Sequence, residues 1–273
     1  MSIGIRGPIG RSLCFTLAST AAAACDPPPA NSPGVVMSAD ARPLPLRLSH
    51  VPLTPGARWV EVPAGDAGKE TRNLAISVPD GPSVAHPLVV FLHGAAGASK
   101  VLLRIDCLLK PGLARIAPIV VAPEGGRGDW WNGDETSFVL GLVDAAVRDW
   151  PVRRDRVVIM GYSNGGIGAW FFARLYPERF SAAIPMASNH AIIGETPLPV
   201  RAIHGSADAL FDAMRVAESV QELQRQGLDV SIDVRPGGTH ENPCEYVPQL
   251  ESAAAWLEQH AWAAKPNLQG PAH

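Results

Sequence analysis

The stretch Val157-Val158-Ile159-Met160-Gly161-Tyr162-Ser163-Asn164-Gly165-Gly166 decides the fold. Four apolar residues read as a buried strand, G-x-S-x-G follows without a gap, and the residues after Asn164 resume with helical periodicity. A strand that turns into a helix within so few residues needs glycine on both sides of the turn, because side chains there would collide with neighbouring backbone. The same turn lifts the Ser163 hydroxyl clear of the sheet. A Gly-rich helix start with Ser163 as a cap is the bland alternative.

Outward from this point the chain alternates strand and helix, which predicts an α/β fold with a mostly parallel sheet. Eight strands are expected: Arg58 to Val62, Asn73 to Val78, Leu88 to Leu92, Ile119 to Ala122, Arg156 to Met160, Ala182 to Pro185, Val200 to Ile203 and Val230 to Val234. A Gly-containing turn between the first two suggests an antiparallel hairpin. Helices are expected over about Ser99 to Leu109, Glu135 to Trp150, Asn164 to Tyr176, Leu210 to Gln226 and Pro243 to Trp262, with Pro111 and Pro177 as helix ends. The last helix carries a well-written start, with Asn242 as cap, Pro243 in the first turn and Glu245 three residues after the cap.

With that turn in this setting the chain resembles the α/β-hydrolase superfamily, an expectation of an eight-stranded sheet flanked by helices, with Ser163 as nucleophile. In that superfamily the order along the chain is Ser, then Asp or Glu, then His, which restricts the base to His240, His260 or His273. His240 lies in the loop Gly237-Gly238-Thr239-His240-Glu241-Asn242-Pro243 after the last strand, where an imidazole can reach another strand's end. Ile203-His204-Gly205-Ser206-Ala207-Asp208 resembles the HGxxD pattern at the acid position of many esterases. Asp208 is the expected acid and Asp212 the reserve; the competing role for Asp208 is a helix cap. Phe91-Leu92-His93-Gly94-Ala95-Ala96-Gly97 resembles the superfamily's oxyanion loop, which implies backbone N–H donors at Ala95 and Asn164. His93 and His204 read as structural histidines.

Trp130 and Trp131, in the loop after the fourth strand, are candidates to line an acyl or aromatic-ester pocket, together with Tyr162 beside the nucleophile. Alternatively one Trp packs under the loop and the other is half-exposed. Only about a dozen residues, Ala187 to Pro199, fill the place where many lipases carry a lid, so no large lid is expected. Within the superfamily HGAAG, the Trp-Asn loop, GYSNGG, HGSAD and GGTHENP are similar to the secreted polyhydroxybutyrate-depolymerase and feruloyl-esterase-like group. The resemblance implies acyl transfer to Ser163 and then to water, on small soluble or oligomeric esters, with no metal and no organic cofactor. A lidless thioesterase or lysophospholipase-like carboxylesterase is the alternative, and a surface binding protein that lost its chemistry is a remote one.

The ends of the chain read differently. Met1 to Ala24 carries Arg6 and Arg11, no acid, and an apolar run from Leu13 to Ala24, the anatomy of an export signal. Ala22-Ala23-Ala24-Cys25 is similar to a bacterial lipobox, with Ala22 where Leu is commonest, so Cys25 is a candidate lipidation site and membrane tether; plain secretion is the competing reading. Residues 25–55 are Pro-rich, with eight prolines between Asp26 and Pro55, and are expected to form a tether. That leaves 56–264 as the catalytic domain and 265–273 as a tail. In folds of the resembling type the helices holding Cys107 and Cys244 pack on one sheet face, which implies a candidate disulfide; two buried thiols are the alternative.

Bulk composition narrows the classes further. A chain of 273 residues with 47% hydrophobic and 18% charged residues can bury a substantial core, which excludes a disordered chain. The formal charge of -3 and the lack of a dense basic run disfavour nucleic acid as a partner. Four cysteines without CxxC spacing are not a metal or disulfide scaffold.

Overall fold

The computed structural model describes residues 41–65, 68–81, 85–126, 129–189 and 196–263. The export signal, Cys25 and the C-terminal tail with His273 lie outside the described residues, as does the middle of the span Ala187 to Pro199.

Eight strands form one sheet: β1 (Gly56–Ala64), β2 (Glu70–Val78), β3 (His86–Leu92), β4 (Ile119–Pro123), β5 (Val152–Tyr162), β6 (Ala182–Met186), β7 (Val200–Gly205) and β8 (Val230–Arg235). Their spatial order is β1-β2-β4-β3-β5-β6-β7-β8. β1 and β2 pair antiparallel, β2 joins β4 antiparallel, and every pairing from β4 to β8 is parallel. The expected α/β architecture and the opening hairpin are therefore present. β4 and β6 are buried along their whole length, as is β5 from Val157 onward. That is why these strands read as continuous apolar runs rather than alternating ones: helices cover both faces of a parallel sheet.

One face packs against α3 (Gly133–Asp149), α4 (Asn164–Leu175) and α5 (Ala213–Arg225), through Phe138, Leu142, Phe172, Val220 and Leu223 among others. The opposite face is covered by α1 (Val101–Arg104), α2 (Lys110–Gly112) and α6 (Val247–Trp256), with Ile105, Leu108, Leu250 and Ala254 in the contact.

Two helix expectations need correction. Pro111 does not end the helix after β3; the chain passes through a π-helical turn, Ile105–Leu109, and Pro111 sits in the first turn of α2. Val101 to Gly112 is one continuous helical run, and the π turn immediately before Pro111 shifts the hydrogen-bond register there, so the ring is accommodated without ending the helix. The last helix is broken into a 3-10 turn, Pro243–Tyr246, then α6, then a π-helical turn, Leu257–Ala261. Asn242 makes no side-chain cap, and the Glu245 carboxylate is occupied elsewhere, accepting from the N–H and hydroxyl of Thr239.

The tether expectation is also corrected, for residues 41–55. Leu46, Leu48 and Val51 are buried in the core. Leu44 N–H donates to the Ser137 carbonyl, Leu48 N–H to Asp149 Oδ2 at 2.7 Å, and Trp150 Nε1–H to the Leu48 carbonyl. The prolines here set an extended path across α3 rather than a free linker: alternate Leu44, Leu46 and Leu48 turn toward the domain while the chain supplies backbone partners. The folded body therefore begins upstream of Gly56.

Candidate active site

β3, β5, β7 and β8 run parallel, so their C-terminal ends share one edge of the sheet, the edge where open α/β sheets bind ligands. Ser163 sits at the end of β5 with φ 58° and ψ -123°, a left-handed backbone that an L-residue adopts only when its surroundings impose it. The surroundings are specific. Ser163 N–H donates to the Met186 carbonyl of the neighbouring strand, and its own carbonyl accepts from Ile167 in the first turn of α4. A Cβ on Gly161 would stand 2.0 Å from the Gly165 carbonyl oxygen, and one on Gly165 would stand 1.9 Å from that of Leu92. The glycines read in the sequence as a steric need are thus the point where β3, β5 and α4 converge.

His240 lies beyond β8 with its Nε2 at 3.0 Å from Ser163 Oγ and its Nδ1 at 2.8 Å from Asp208 Oδ2. The three side chains, separated by up to 77 positions, form one hydrogen-bonded line. Asp208 Oδ1 accepts the N–H groups of Leu210 and Phe211 at 2.9 Å each. Burial by itself would push the Asp208 carboxyl up. The His240 hydrogen bond and the two backbone donors outweigh it and hold the group below the ordinary carboxylate range, so Asp208 is ionised at neutral pH. An ionised acceptor fixes the proton of His240 on Nδ1 and leaves Nε2 free to accept from the serine hydroxyl. Asp208 is not the cap of α5; Asp212, the reserve candidate, fills that role by accepting from Arg215 N–H.

The loop bearing His240 is braced. Tyr162 Oη–H donates to the His240 carbonyl at 2.6 Å and Tyr246 Oη–H to the Thr239 carbonyl at 2.8 Å. Both phenols are held protonated, their pKa raised first by burial and then by nearby negative charge. Cys107 and Cys244 are bonded as a disulfide, joining the π-helical turn after α1 to the turn that follows His240.

Tyr162 and Trp130 do not line a pocket. Tyr162 is 2% exposed, under the guanidinium of Arg104 at 5.4 Å, and its role is to hold His240. Trp130 is fully buried: its indole N–H donates to the His93 carbonyl at the end of β3, and its ring fills the space beside Gly125 and Gly168. Burying an indole requires a partner for its N–H, and the carbonyl that turns the chain into the Gly94-Ala95 loop supplies it. Trp131 is half-buried, on the core side of that loop. Ala95 is exposed in the turn after Gly94, whose Cα hydrogen faces Ser163: a Cβ there would be 3.0 Å from Ser163 Cβ. Asn164 opens α4, so its N–H belongs to the first-turn donors that a helix leaves without an intrahelical acceptor. His93 and His204 are buried and directed at backbone carbonyls, of Gly94 and Glu124 in one case and Phe211 in the other, and His204 Nε2 also stands 3.7 Å from Asp208 Oδ2. Burial lowers the His204 pKa, so it is neutral.

Sequence reasoning missed Tyr246, Glu245 and Phe211. The first two sit in a turn read as a helix start, where Glu245 was assigned to the cap and Tyr246 was given no role. Among the described residues no group of His, Cys, Asp and Glu side chains has the arrangement of a metal site. A concavity of about 950 Å3 is lined by Pro45, Arg47, Gly65 and Asp149 and contains none of Ser163, Asp208 and His240.

Comparison with known proteins bears on the family and the fold. The relative named putative esterase NocK, from Nocardia uniformis subsp. tsuyamanensis, is 28% identical over 249 residues, 79% of this chain and 68% of that protein. The crystal structure of a thermostable esterase aligns with 74% of this chain at 22% identity and a TM-score of 0.57; the alignment spans 62% of that enzyme, less than two thirds of its length. FphF, a fluorophosphonate-binding serine hydrolase of Staphylococcus aureus, aligns over 75% of this chain and 99% of its own at 16% identity, with a TM-score of 0.60. At such identities the two structures speak to the fold. The profile of the dienelactone hydrolase family matches residues 79–268, which takes in β3 to β8 and all three of Ser163, Asp208 and His240. The chain therefore belongs to the dienelactone hydrolase family, hydrolases of the α/β-hydrolase fold.

Proposed function

We propose that the protein is a serine carboxylic-ester hydrolase that works through an acyl-enzyme. The observation that carries this reading is the line Ser163 Oγ, His240, Asp208, with both hydrogen bonds at 3.0 Å or less and the serine on a strained turn. In the first half-reaction Nε2 of His240 takes the hydroxyl proton as Oγ attacks the ester carbonyl. The imidazolium, stabilised by ionised Asp208, then returns that proton to the leaving alcohol. Water repeats the sequence on the acyl-serine, giving the acid and restoring the hydroxyl.

The backbone N–H groups of Ala95 and Asn164 are the donors proposed for the developing oxyanion. One such donor is typically worth about 100- to 1000-fold in turnover. Substrates of hydroxyalkanoate or hydroxycinnamoyl type follow from the resemblance of HGAAG, GYSNGG, HGSAD and GGTHENP to the depolymerase and feruloyl-esterase-like group. Of the aromatic residues singled out in the sequence, Trp131 is the one left to touch them.

A fluorophosphonate probe tests the mechanism. It should label the wild type and not Ser163→Ala; labelling that survives the substitution would mean that Ser163 is not the nucleophile. A panel of p-nitrophenyl, hydroxycinnamoyl, acyl-CoA and lysophospholipid substrates tests the ester class, and a strong preference for the last would replace it by a lysophospholipase.

Export is proposed on the N-terminal sequence, and the bond between Cys107 and Cys244 supports it, since structural disulfides persist in oxidising compartments. Mass measurement of the mature N-terminus from the native host separates the outcomes: a lipidated Cys25, a plain cut before or near it, or an intact Met1, the last of which would remove the export reading.

A further inference from the structure

Two aromatic rings pack on the His240 imidazole. Tyr162 stands 5.5 Å from it and is buried, whereas Phe211 stands 5.6 Å from it and is only half-buried. The backbone of Phe211 is held from both sides. Its N–H donates to Asp208 Oδ1, and its carbonyl lies 2.9 Å from Nε2 of buried His204. The N–H of Leu210 donates to the same carboxylate oxygen. One oxygen of Asp208 therefore aims the base while the other fixes the residues beside it. Four large hydrophobic side chains are exposed among the described residues, and two of them, Leu210 at 45% and Met214 at 74%, lie within three positions of Phe211. A ligand that covers such side chains gains from their removal from water, and the Phe211 ring is the one that also touches the imidazole.

We propose that Phe211 and Leu210 bind the alcohol half of the ester, and that the enzyme acts on carboxylic esters of apolar or aromatic alcohols. This rests on the serine-esterase reading above. The argument is the path of the proton. When the C–O bond breaks, the carbonyl re-forms on the acyl-serine and the departing oxygen takes the proton from Nε2, so the alcohol leaves neutral. That transfer requires the oxygen to lie about 2.6–3.2 Å from Nε2. The first carbons of the alcohol are then within reach of whatever packs on the imidazole, and of the two rings there only Phe211 is open to a ligand. A sugar or other polyol in that position would set hydroxyl groups against the Phe211 ring and gain less from the contact than an apolar alcohol does.

The test compares butyrate esters of methanol and benzyl alcohol, whose acyl half is constant. In the wild type kcat/KM for the benzyl ester should exceed that for the methyl ester about 10-fold, and Phe211→Ala should lower that ratio several-fold, while Phe211→Leu keeps most of it. The ratio between methyl acetate and methyl hexanoate, which varies only the acyl half, should be the same in all three proteins. A benzyl-to-methyl ratio unchanged in Phe211→Ala, or an altered acyl ratio instead, overturns the proposal. Should Phe211→Ala not fold, Leu210→Ser carries the same comparison with the same expected fall. Fluorophosphonate labelling of each protein separates the two failures. A wild type that does not label sinks the esterase reading itself, and labelling with an unmoved ratio sinks only the alcohol subsite.

Discussion

At the scale of single residues, the candidate triad was legible because each member sits in a short motif at a strand end; chain order left His240, His260 and His273 open as the base, and the loop position of His240 after the last strand singled it out. His260 is on the π-helical turn, paired with Asp229 on the surface, far from the chemistry assigned to His240. What was not legible is the direction in which a ring points. Tyr162 follows Gly161 at the end of β5, and nothing in GYSNGG says whether its side chain faces the ligand or the core. It faces the core, under Arg104, and its hydroxyl carries the His240 carbonyl. Tyr162→Phe keeps the ring and removes that one donor, leaving a partly buried carbonyl without its partner at a cost of about 1 kcal/mol. Because the lost contact positions the base, kcat should fall about 10-fold with KM little changed, and the melting temperature should drop by a few degrees. A lowered melting temperature with an unchanged kcat would reduce Tyr162 to a structural role.

At the scale of elements, strands were found more faithfully than helix ends, and the reason is physical. A buried parallel strand is an apolar run with sharp edges, while a helix terminus depends on where side chains find partners. Glu245 was read as reaching back to a helix cap; in the fold it reaches farther back, to Thr239, because the chain first makes a 3-10 turn. The same turn holds Cys244, and its bond to Cys107, 137 positions earlier, ties the helix after β3 to the segment that follows His240. A loop of that length gives a bridge an entropic effect of roughly 5 kcal/mol, and removing native bridges typically costs about 2–5 kcal/mol. Replacing both residues by serine should therefore lower the melting temperature by about 5–15 °C. The Tyr246, Glu245 and Cys244 braces act on one loop, so kcat should fall as well, more than KM rises. A double variant that melts with the wild type would show that the bridge contributes nothing to the fold.

At the scale of the whole molecule, the boundary between linker and body is where sequence reading erred. Prolines at 43, 45, 52 and 55 give a composition that suits a free linker equally well, and composition does not say whether the leucines between them find a surface. They do: Leu46, Leu48 and Val51 are 4%, 0% and 6% exposed. Burial of three such side chains stabilises by roughly 5–9 kcal/mol as an upper bound, comparable with the whole stability of an ordinary domain, about 5–15 kcal/mol. A chain that starts at Ala41 should melt with the full-length protein, whereas one that starts at Gly56 should lose more than about 10 °C or fail to fold. Equal melting of the two would restore the tether reading for residues 41–55. The segment is latched at Leu48 by Asp149, the last residue of α3, whose carboxyl is held below the ordinary range first by the Arg148 hydrogen bond and, against its burial, by the N–H of Leu48. A carboxyl whose pKa is lower folded than unfolded contributes stability that is fully present above the unfolded value, about 4, and is lost as the pH falls through the folded one. Asp149→Ala should consequently be less stable than the wild type at pH 7, with the gap closing as the solution is acidified below about pH 4. Melting temperatures measured from pH 7 down to pH 3 check this, and a gap that stays constant over that range would mean that Asp149 does not hold the segment through its charge.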